Sequence, residues 1–168
     1  MTNFIISTRV LLNLEFDNKE SIFKFLSKKI SLEFEIPEDK INDSIVKRES
    51  IGSTYIGNQL ALPHGRIFRL KSPIGIFCRL NKTLIYDEDN HIAKYIFLSI
   101  IPFHSNEKYL SLLSKIASIF SDPLKLDLLS LGRPPMVEEF FQWSPYPLIP
   151  TDLQCNHLHP NALQDGIW

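Results

Sequence analysis

A single stretch of the chain, residues 48–66, gathers most of the side chains that could do chemistry. Its histidine offers an imidazole whose neutral form is abundant near pH 7 and is a good nucleophile. Its arginines, hydroxyls and glycine amides are groups that hold phosphoryl oxygens in proteins. The candidates in this stretch are Arg48, Ser53, Thr54, His64 and Arg66. Together these residue types indicate nucleophilic attack by the histidine on a phosphoryl group.

The residues that flank His64 predict how its imidazole is presented. Pro63 fixes one backbone angle and Gly65 permits unusual ones, so Pro63-His64-Gly65 is typical of a sharp turn. We therefore expect the imidazole to lie on an exposed tip. Arg48 is expected at the end of a helix, which would be a rigid place from which to hold a phosphate.

The order of residues in this stretch is more specific than any one of them. It runs Arg-Glu at 48–49, Ser-Thr-Tyr-Ile-Gly-Asn-Gln at 53–59, an apolar run at 60–62 and Pro-His-Gly-Arg at 63–66. This pattern resembles the active-site signature of enzyme IIA domains of the bacterial phosphoenolpyruvate phosphotransferase system. The subclass is the fructose, mannitol and nitrogen-regulatory type, and the nitrogen-regulatory branch is the most similar. A long ordered signature is far more specific than a lone glycine motif.

The resemblance implies a fold and a reaction. The fold is α/β, with a mixed β-sheet covered by helices on both faces. The reaction is transfer of a phosphoryl group from an HPr-type phosphohistidine protein to His64, in the cytoplasm, with no metal or organic cofactor. Arg48, Ser53 and Thr54 would bind the phosphoryl oxygens, and Arg66 would meet the partner protein. We expect the ring nitrogen remote from the backbone to react, while the other nitrogen donates to a backbone carbonyl.

The destination of the phosphoryl group stays open at this point. In a regulatory enzyme IIA, the phosphorylation state selects which target proteins are bound. In a sugar-transport enzyme IIA, the group passes to an enzyme IIB domain and then to sugar. No enzyme IIB domain or membrane segment is fused in this sequence, and family analogy favours the nitrogen-regulatory role. A third alternative, from another class, is a binding module whose phosphorylation is vestigial.

Three positions depart from the family pattern. Tyr55 and Gln59 stand where the signature usually has glycine, so a positive φ at either position would be strained. Tyr109 stands where the family usually carries a second histidine beside the phosphorylated one. Because a phenol carries no positive charge near pH 7, the phosphorylated state would be less stabilised unless His104 reaches in. We expect the Tyr109 ring to pack and its hydroxyl to reach the rim of the site.

The candidate residues also have purely structural interpretations. His64 could be a turn residue with no task, and Arg48 could be a solvated charge at a helix end. Ser53 and Thr54 could satisfy backbone groups of a turn. In the tail, Cys155, His157 and His159 alternate and would face one way on an extended segment. A fourth ligand is missing from that group, so we predict no metal site.

The apolar pattern predicts the elements that position these residues. Helices are expected from 17–20 to about 30, from 37 to 49 with Gly52 as the stop, from 105 to 122 and over 124–131, with a short one at 136–142. Strands are expected over 60–62, 74–80 and 95–101, with a polar connection at 81–91. Helices that alternate with buried strands indicate a layered α/β domain.

Length and composition bound the class of protein. The 168 residues predict one domain over 1–142 and a proline-rich tail of unknown role over 143–168. A net charge of -1 gives no electrostatic reason to expect nucleic acid or an anionic membrane as a partner. The longest strongly apolar run, at 95–102, is far short of the ~20 residues that a membrane helix needs. Two cysteines make no disulfide framework, which favours the cytoplasm.

Overall fold

The computed structural model describes residues 7–104 and 107–131. Its elements, in chain order, are β1 (Ser7–Leu14), α1 (Lys19–Phe34), α2 (Glu38–Glu49), β2 (Tyr55–Gly57), β3 (Leu60–Ala61), β4 (His64–Ile67), β5 (Ile74–Ile85), β6 (Ile92–Pro102), α3 (Glu107–Phe120) and α4 (Pro123–Leu131). The helix predicted at 136–142 and the tail at 143–168 lie outside the described residues, and the domain boundary between them stays a prediction.

The strands of the described region form one mixed sheet in the order β1-β5-β6-β3-β2, and β4 also pairs with β6. β1 is parallel to β5, and β5 is antiparallel to β6. β3 and β4 both run parallel to β6, with Leu60 opposite Tyr95 and His64 opposite Ser99. The two short strands therefore lie one after the other along one edge of β6. Pairing with β6 is interrupted at residues 62–63 and resumes at His64.

The helices cover the sheet on both faces, as predicted. Alternate residues of β5 separate into two apolar clusters, since successive side chains on a strand point to opposite faces. Ile76 and Cys78 pack with the buried residues of α1 and α2, including Ile22 and Ile45. Phe77 packs on the other face with Tyr109, Ile116 and Phe120 of α3. The predicted α/β architecture is confirmed.

The helix boundaries follow local chemistry closely. α1 begins after Asn18, whose Oδ1 accepts from the Ser21 amide at 2.9 Å. α2 carries Glu38 and Asp39 in its first turn, where the helix dipole favours negative charge. Its end at residue 49 is as predicted, but Gly52 is not the stop. Ser50 follows the last helical residue in a right-handed conformation, and Gly52 does not have a positive φ.

The strands extend beyond the sequence-based prediction. The apolar pattern does not predict β1, β2 or β4. The polar stretch at 81–91 is predicted to be a connection, but β5 continues to residue 85 beyond an irregularity and β6 starts at 92. Residues 81–83 are exposed on the extended strand. Their polar composition therefore reflects an exposed part of the sheet, and only residues 86–91 connect the two strands.

The two glycine replacements in the signature have different consequences. Tyr55 lies in β2 without a positive φ, so the expected strain is absent there. Gln59 has a φ of 60°, in the left-handed region that side chains with a Cβ disfavour. Its carbonyl accepts from the amides of Lys94 and Tyr95, both at 2.9 Å. These two bonds to β6 hold Gln59 in a conformation that glycine would adopt freely.

Candidate functional site

His64 is the first residue of β4 and is half-buried, with Ser99 of β6 as its partner in the sheet. The prediction of an exposed turn tip is therefore wrong. Pro63 interrupts the pairing along this edge of β6, but its carbonyl accepts from the Ser99 amide at 3.0 Å. The imidazole is consequently anchored to the sheet, which holds it more rigidly than a loop would.

Each nitrogen of the His64 ring has one partner. Nδ1 lies 3.0 Å from the carbonyl oxygen of Leu62, and Nε2 lies 3.0 Å from Nε of Arg48. A guanidinium can only donate, so Nε2 accepts and carries no proton. Nδ1 must then hold the proton and donate to the carbonyl. The geometry thus assigns one tautomer, in which the nitrogen remote from the backbone keeps its lone pair.

The surroundings of His64 favour its neutral form. Burial is the largest effect and lowers the pKa of the imidazole, and the nearby positive charges of Arg48 and Arg66 lower it further. The bond to the Leu62 carbonyl and the Glu49 charge oppose this shift, but the net pKa lies below the ordinary 6.5. Near pH 7 the ring is therefore neutral, as a nucleophile must be.

Arg48 lies in the last turn of α2 and spans two parts of the site. While Nε donates to His64, Nη1 donates to the carbonyl of Gly52 at 3.0 Å. A solvated helix-end charge would make neither bond. The guanidinium is instead held against the unprotonated nitrogen of the imidazole, whose lone pair accepts from it.

Gly65 allows α2 to approach β4. A Cβ at this position would lie 3.0 Å from Cβ of Ser44 and 3.2 Å from the amide nitrogen of Ile45, and nearer still to Oγ of Ser44. Because Ile45 contributes backbone that cannot rotate away, any larger residue would push α2 outward. Arg48 lies on that helix, so the missing side chain at 65 keeps the guanidinium within reach of His64.

We expect Gly65→Ala to lower the free energy of unfolding by about 1–3 kcal/mol, the usual cost of overpacking, and to slow phosphoryl acceptance. Urea unfolding measures the first effect. The matched control is Gly52→Ala, since a Cβ at Gly52 meets nothing within 4 Å and the φ there is not positive. Equal stability of the two variants would show that α2 does not pack closely against β4 at Gly65.

The hydroxyls of the signature loop are engaged with residues other than His64. Ser53 Oγ donates to Oδ2 of Asp87 and accepts from the amide of Tyr55 at 3.2 Å. Thr54 is buried, and its Oγ1 donates to Oε2 of Glu49 at 2.6 Å. Direct contact of either hydroxyl with a phosphoryl group stays a prediction. To make that contact, each would have to leave its present partner.

Tyr109 lies beside His64, with ring centroids 5.6 Å apart. Its hydroxyl is buried and shares a 2.6 Å hydrogen bond with Oγ of Ser99. The expectation that this hydroxyl reaches the rim is therefore wrong, although the ring packs as predicted. Burial raises the pKa of the phenol, so Tyr109 stays neutral beside the imidazole. His104 is exposed and packs edge-on against Phe68 and Phe103.

We expect Tyr109→Phe to leave Ser99 without this partner and to lower the free energy of unfolding by about 0.5–1.5 kcal/mol. Since the lost bond does not involve His64, the lifetime of a phosphohistidine should change little. Chemical denaturation and the decay of the phosphorylated protein measure the two quantities. A shortened lifetime at unchanged stability would mean that the hydroxyl serves the phosphoryl group instead.

Arg66 shares a face of β4 with His64, because residues two apart on a strand point the same way. Its Nη1 donates to the carbonyl of Phe103 at 3.0 Å, and the side chain is exposed. Its charge contributes to the low pKa of His64. A role for Arg66 in meeting a partner protein stays a prediction.

A possible cation-binding group lies near the loop but outside the histidine site. Asp87, Asp89 and His91 each place one ligand atom within 4.8 Å of the others. Nδ1 of His91 lies 3.0 Å from both carboxylate oxygens of Asp87, and Tyr55 stacks on the His91 ring. These contacts give Asp87 and His91 structural partners, and the stacking joins the connection at 86–91 to β2. The residues at 155, 157 and 159 lie outside the described part of the chain.

The comparisons with known proteins identify the family. Residues 3–136 match the family described as "Phosphoenolpyruvate-dependent sugar phosphotransferase system, EIIA 2", and the chain belongs to this family. It is 27% identical over 107 residues to the nitrogen regulatory protein of Escherichia coli, covering 62% of this chain and 66% of that protein. It is 31% identical over 113 residues to a mannitol-specific EIICBA component of Buchnera aphidicola, covering 65% of this chain and 17% of that protein.

Solved structures agree with this assignment. The nitrogen regulatory protein IIA-Ntr of Neisseria meningitidis superposes with a TM-score of 0.70 at 25% identity, covering 75% of this chain and 87% of that one. The IIA mannitol structure of Escherichia coli gives a TM-score of 0.64 at 18% identity, over 78% and 94% of the two chains, and shares the fold. The predicted family and fold are confirmed. In the described ranges, no helix is long and apolar enough to cross a membrane.

Proposed function

We propose that this protein is a phosphocarrier that accepts a phosphoryl group on Nε2 of His64 from an HPr-type phosphohistidine protein. One observation carries the proposal. The Nδ1–H of His64 donates to the Leu62 carbonyl, so Nε2 carries no proton, and the Nε2 lone pair accepts from Nε of Arg48 at 3.0 Å. A neutral imidazole with a positioned cation is what an incoming phosphoryl group requires.

The proposed step needs no external base. The Nε2 lone pair forms a bond to phosphorus while the P–N bond of the donor breaks, and its electron pair stays on the donor nitrogen. His64 keeps the Nδ1 proton throughout, bonded to the Leu62 carbonyl. Because the donor and the product are both phosphohistidines, the bond that breaks and the bond that forms are of the same type. The work left to the protein is positioning and stabilisation of charge.

Arg48 has two tasks in this proposal. Before transfer it donates to Nε2 and favours the neutral ring. As phosphorus approaches, the guanidinium must leave the lone pair and turn to the equatorial oxygens, for which its several N–H donors are suited. The bond from Nη1 to the Gly52 carbonyl would hold the Arg48 side chain in place while its other N–H groups change partners. Ser53 and Thr54 would add contacts only after leaving Asp87 and Glu49.

Within the family we favour the nitrogen-regulatory branch. The Escherichia coli, Pseudomonas aeruginosa and Klebsiella oxytoca relatives all carry the name nitrogen regulatory protein. The partners would then be an HPr-type carrier and a regulatory target protein, in the cytoplasm. Sugar transport is the second candidate, since mannitol components of Buchnera aphidicola are also similar and a IIA mannitol protein is known in complex with its phosphorylated IIB. Residues 1–142 would form the enzyme IIA domain.

Reconstitution tests the proposal. The full chain is incubated with phosphoenolpyruvate, enzyme I and an HPr-type carrier, and intact mass is measured before and after acid. We expect one acid-labile phosphoryl group per chain. Subsequent addition of an enzyme IIB protein separates the two branches, since only a transport enzyme IIA should pass the group on rapidly. A chain that gains no mass would be a binding module with vestigial phosphorylation.

A further inference from the structure

Glu49 is a buried carboxylate next to the arginine of the site. It ends α2, and only 8% of the residue is exposed. Oε1 accepts from the Thr54 amide at 3.2 Å and from Lys19 Nζ at 3.4 Å, and Oε2 accepts from Thr54 Oγ1 at 2.6 Å. A carboxylate is buried at such a site only when donors surround it. Two of its three donors belong to Thr54, in the signature loop.

Thr54 is held from a second side by Tyr86. Since the Thr54 hydroxyl donates its proton to Glu49, the 2.9 Å contact between Thr54 Oγ1 and the Tyr86 hydroxyl has the phenol as donor. Burial, and next the Glu49 charge, raise the pKa of Tyr86, so the phenol keeps its proton. Thr54 is therefore a fixed point of the loop, bound through both its amide and its side chain.

From this fixed point a short series of bonds leads to His64. The carbonyl of Thr54 accepts from the Leu62 amide at 2.9 Å. The carbonyl of the same Leu62 accepts from Nδ1 of His64 at 3.0 Å. The position of Thr54 thus sets the position of the Leu62 carbonyl, which together with Arg48 selects the tautomer of the imidazole. On the other side of the loop, Arg48 donates to the Gly52 carbonyl. Residues 48 and 49 at the end of α2 therefore both hold the loop at 50–54 through hydrogen bonds.

We propose that Glu49 is a positioning residue for phosphoryl transfer: it holds Thr54 so that the Leu62 carbonyl keeps the Nδ1–H tautomer of His64. The inference rests on the proposed role of His64 as acceptor. Glu49 does not touch the imidazole and acts through Thr54 and Leu62. If the carbonyl moved away, the Nε2–H tautomer would become populated, and that tautomer has no lone pair on the attacking nitrogen.

The test compares Glu49→Ala and Glu49→Gln with the wild-type chain. The matched control is Glu88→Ala, which removes an exposed carboxylate that lines the same cavity of about 410 Å³ as Glu49. ¹⁵N NMR of the unphosphorylated protein reports the tautomer of His64. Single-turnover transfer from phosphorylated HPr-type carrier, at several carrier concentrations, separates the maximal rate from the half-saturating concentration.

We expect Glu49→Ala to populate the Nε2–H tautomer and to lower the maximal rate by about 10- to 100-fold, the scale of a small misplacement of a reacting group. The half-saturating concentration should stay unchanged, because Glu49 is buried and does not offer a contact to the carrier. Glu49→Gln keeps an acceptor for the Thr54 hydroxyl and should recover part of the rate. Glu88→Ala should match the wild type in both measurements.

Other outcomes would overturn the inference. If Glu49→Ala is less stable but keeps the Nδ1–H tautomer and the wild-type rate, Glu49 is a structural anchor only. If the alanine variant does not fold, Glu49→Gln decides, because its single side-chain oxygen cannot replace both carboxylate oxygens that bind Thr54. An unchanged tautomer and an unchanged rate in that variant lead to the same conclusion. Failure of the proposed function is seen separately, as a wild-type chain that accepts no phosphoryl group, and the tautomer measurement still decides the positioning claim.

Discussion

Replacement of His64 by alanine is expected to abolish phosphoryl acceptance while the chain stays folded. The imidazole supplies the only atom that would bond to phosphorus, so no residual transfer through this site is possible. The side chain is half-buried and packs on Tyr109. Its loss should therefore cost about 0.5–3 kcal/mol of stability, the range of most single substitutions. Intact mass after incubation with phosphoenolpyruvate, enzyme I and HPr-type carrier measures acceptance.

The control for this experiment is His104→Ala, which removes an exposed imidazole of the same region. It should be labelled as fully as the wild type. Thermal unfolding of both variants shows whether loss of labelling is a loss of fold. Full labelling of a folded His64→Ala protein would rule out this residue as the acceptor.

Replacement of Arg48 by alanine is expected to slow transfer by on the order of 10- to 1,000-fold, the scale on which one preorganised donor stabilises developing charge. Arg48→Lys should recover only part of the rate. A lysine offers a point charge, and it cannot bind Nε2 of His64 and the Gly52 carbonyl with the geometry of a guanidinium. Single-turnover transfer from the phosphorylated carrier measures the rate.

The same substitution has a pH signature. Arg48 is one of the groups that lower the pKa of His64, so Arg48→Ala should raise that pKa toward 6.5. More of the imidazole is then protonated at acid pH, and protonated imidazole cannot attack. The deficit of Arg48→Ala should consequently be larger at pH 6 than at pH 8. An NMR titration of His64 measures the shift directly.

Lys47→Ala is the matched control for the arginine, because it removes a positive charge from the adjacent, exposed position of α2. It should leave both the transfer rate and the pKa of His64 unchanged. If Arg48→Ala and Arg48→Lys also transfer at the wild-type rate, the bond between Arg48 and His64 has no part in the reaction.

The elements and the composition of the site can be predicted from the sequence because they depend on local patterns. The apolar spacing in α1 and α3 and the order of the signature around His64 are of this kind. The continuation of β5 past residue 80 is not predicted, because its residues 81–83 are polar and exposed and have the composition of a loop. The strand position of His64 is not predicted either, because pairing of β4 with β6 depends on residues 35 positions away.

The partners of the site residues are beyond a sequence-based prediction for the same reason. Nothing in the composition of the chain connects Ser53 with Asp87, Thr54 with Tyr86, or Tyr109 with Ser99. Glu49 carries a signal, since it stands next to Arg48 in the signature, but its role depends on which way the carboxylate points. The sheet and the packing of α2 settle that direction, and neither is a local property.

The location of the phosphoryl group tests the proposed mechanism most directly. The ¹⁵N-labelled chain is phosphorylated by the carrier, and NMR coupling between phosphorus and the histidine ring nitrogens is recorded. The mechanism predicts coupling to Nε2 of His64, with the proton retained on Nδ1 and bonded to the Leu62 carbonyl. Phosphorus on Nδ1, or on any other residue, would contradict it.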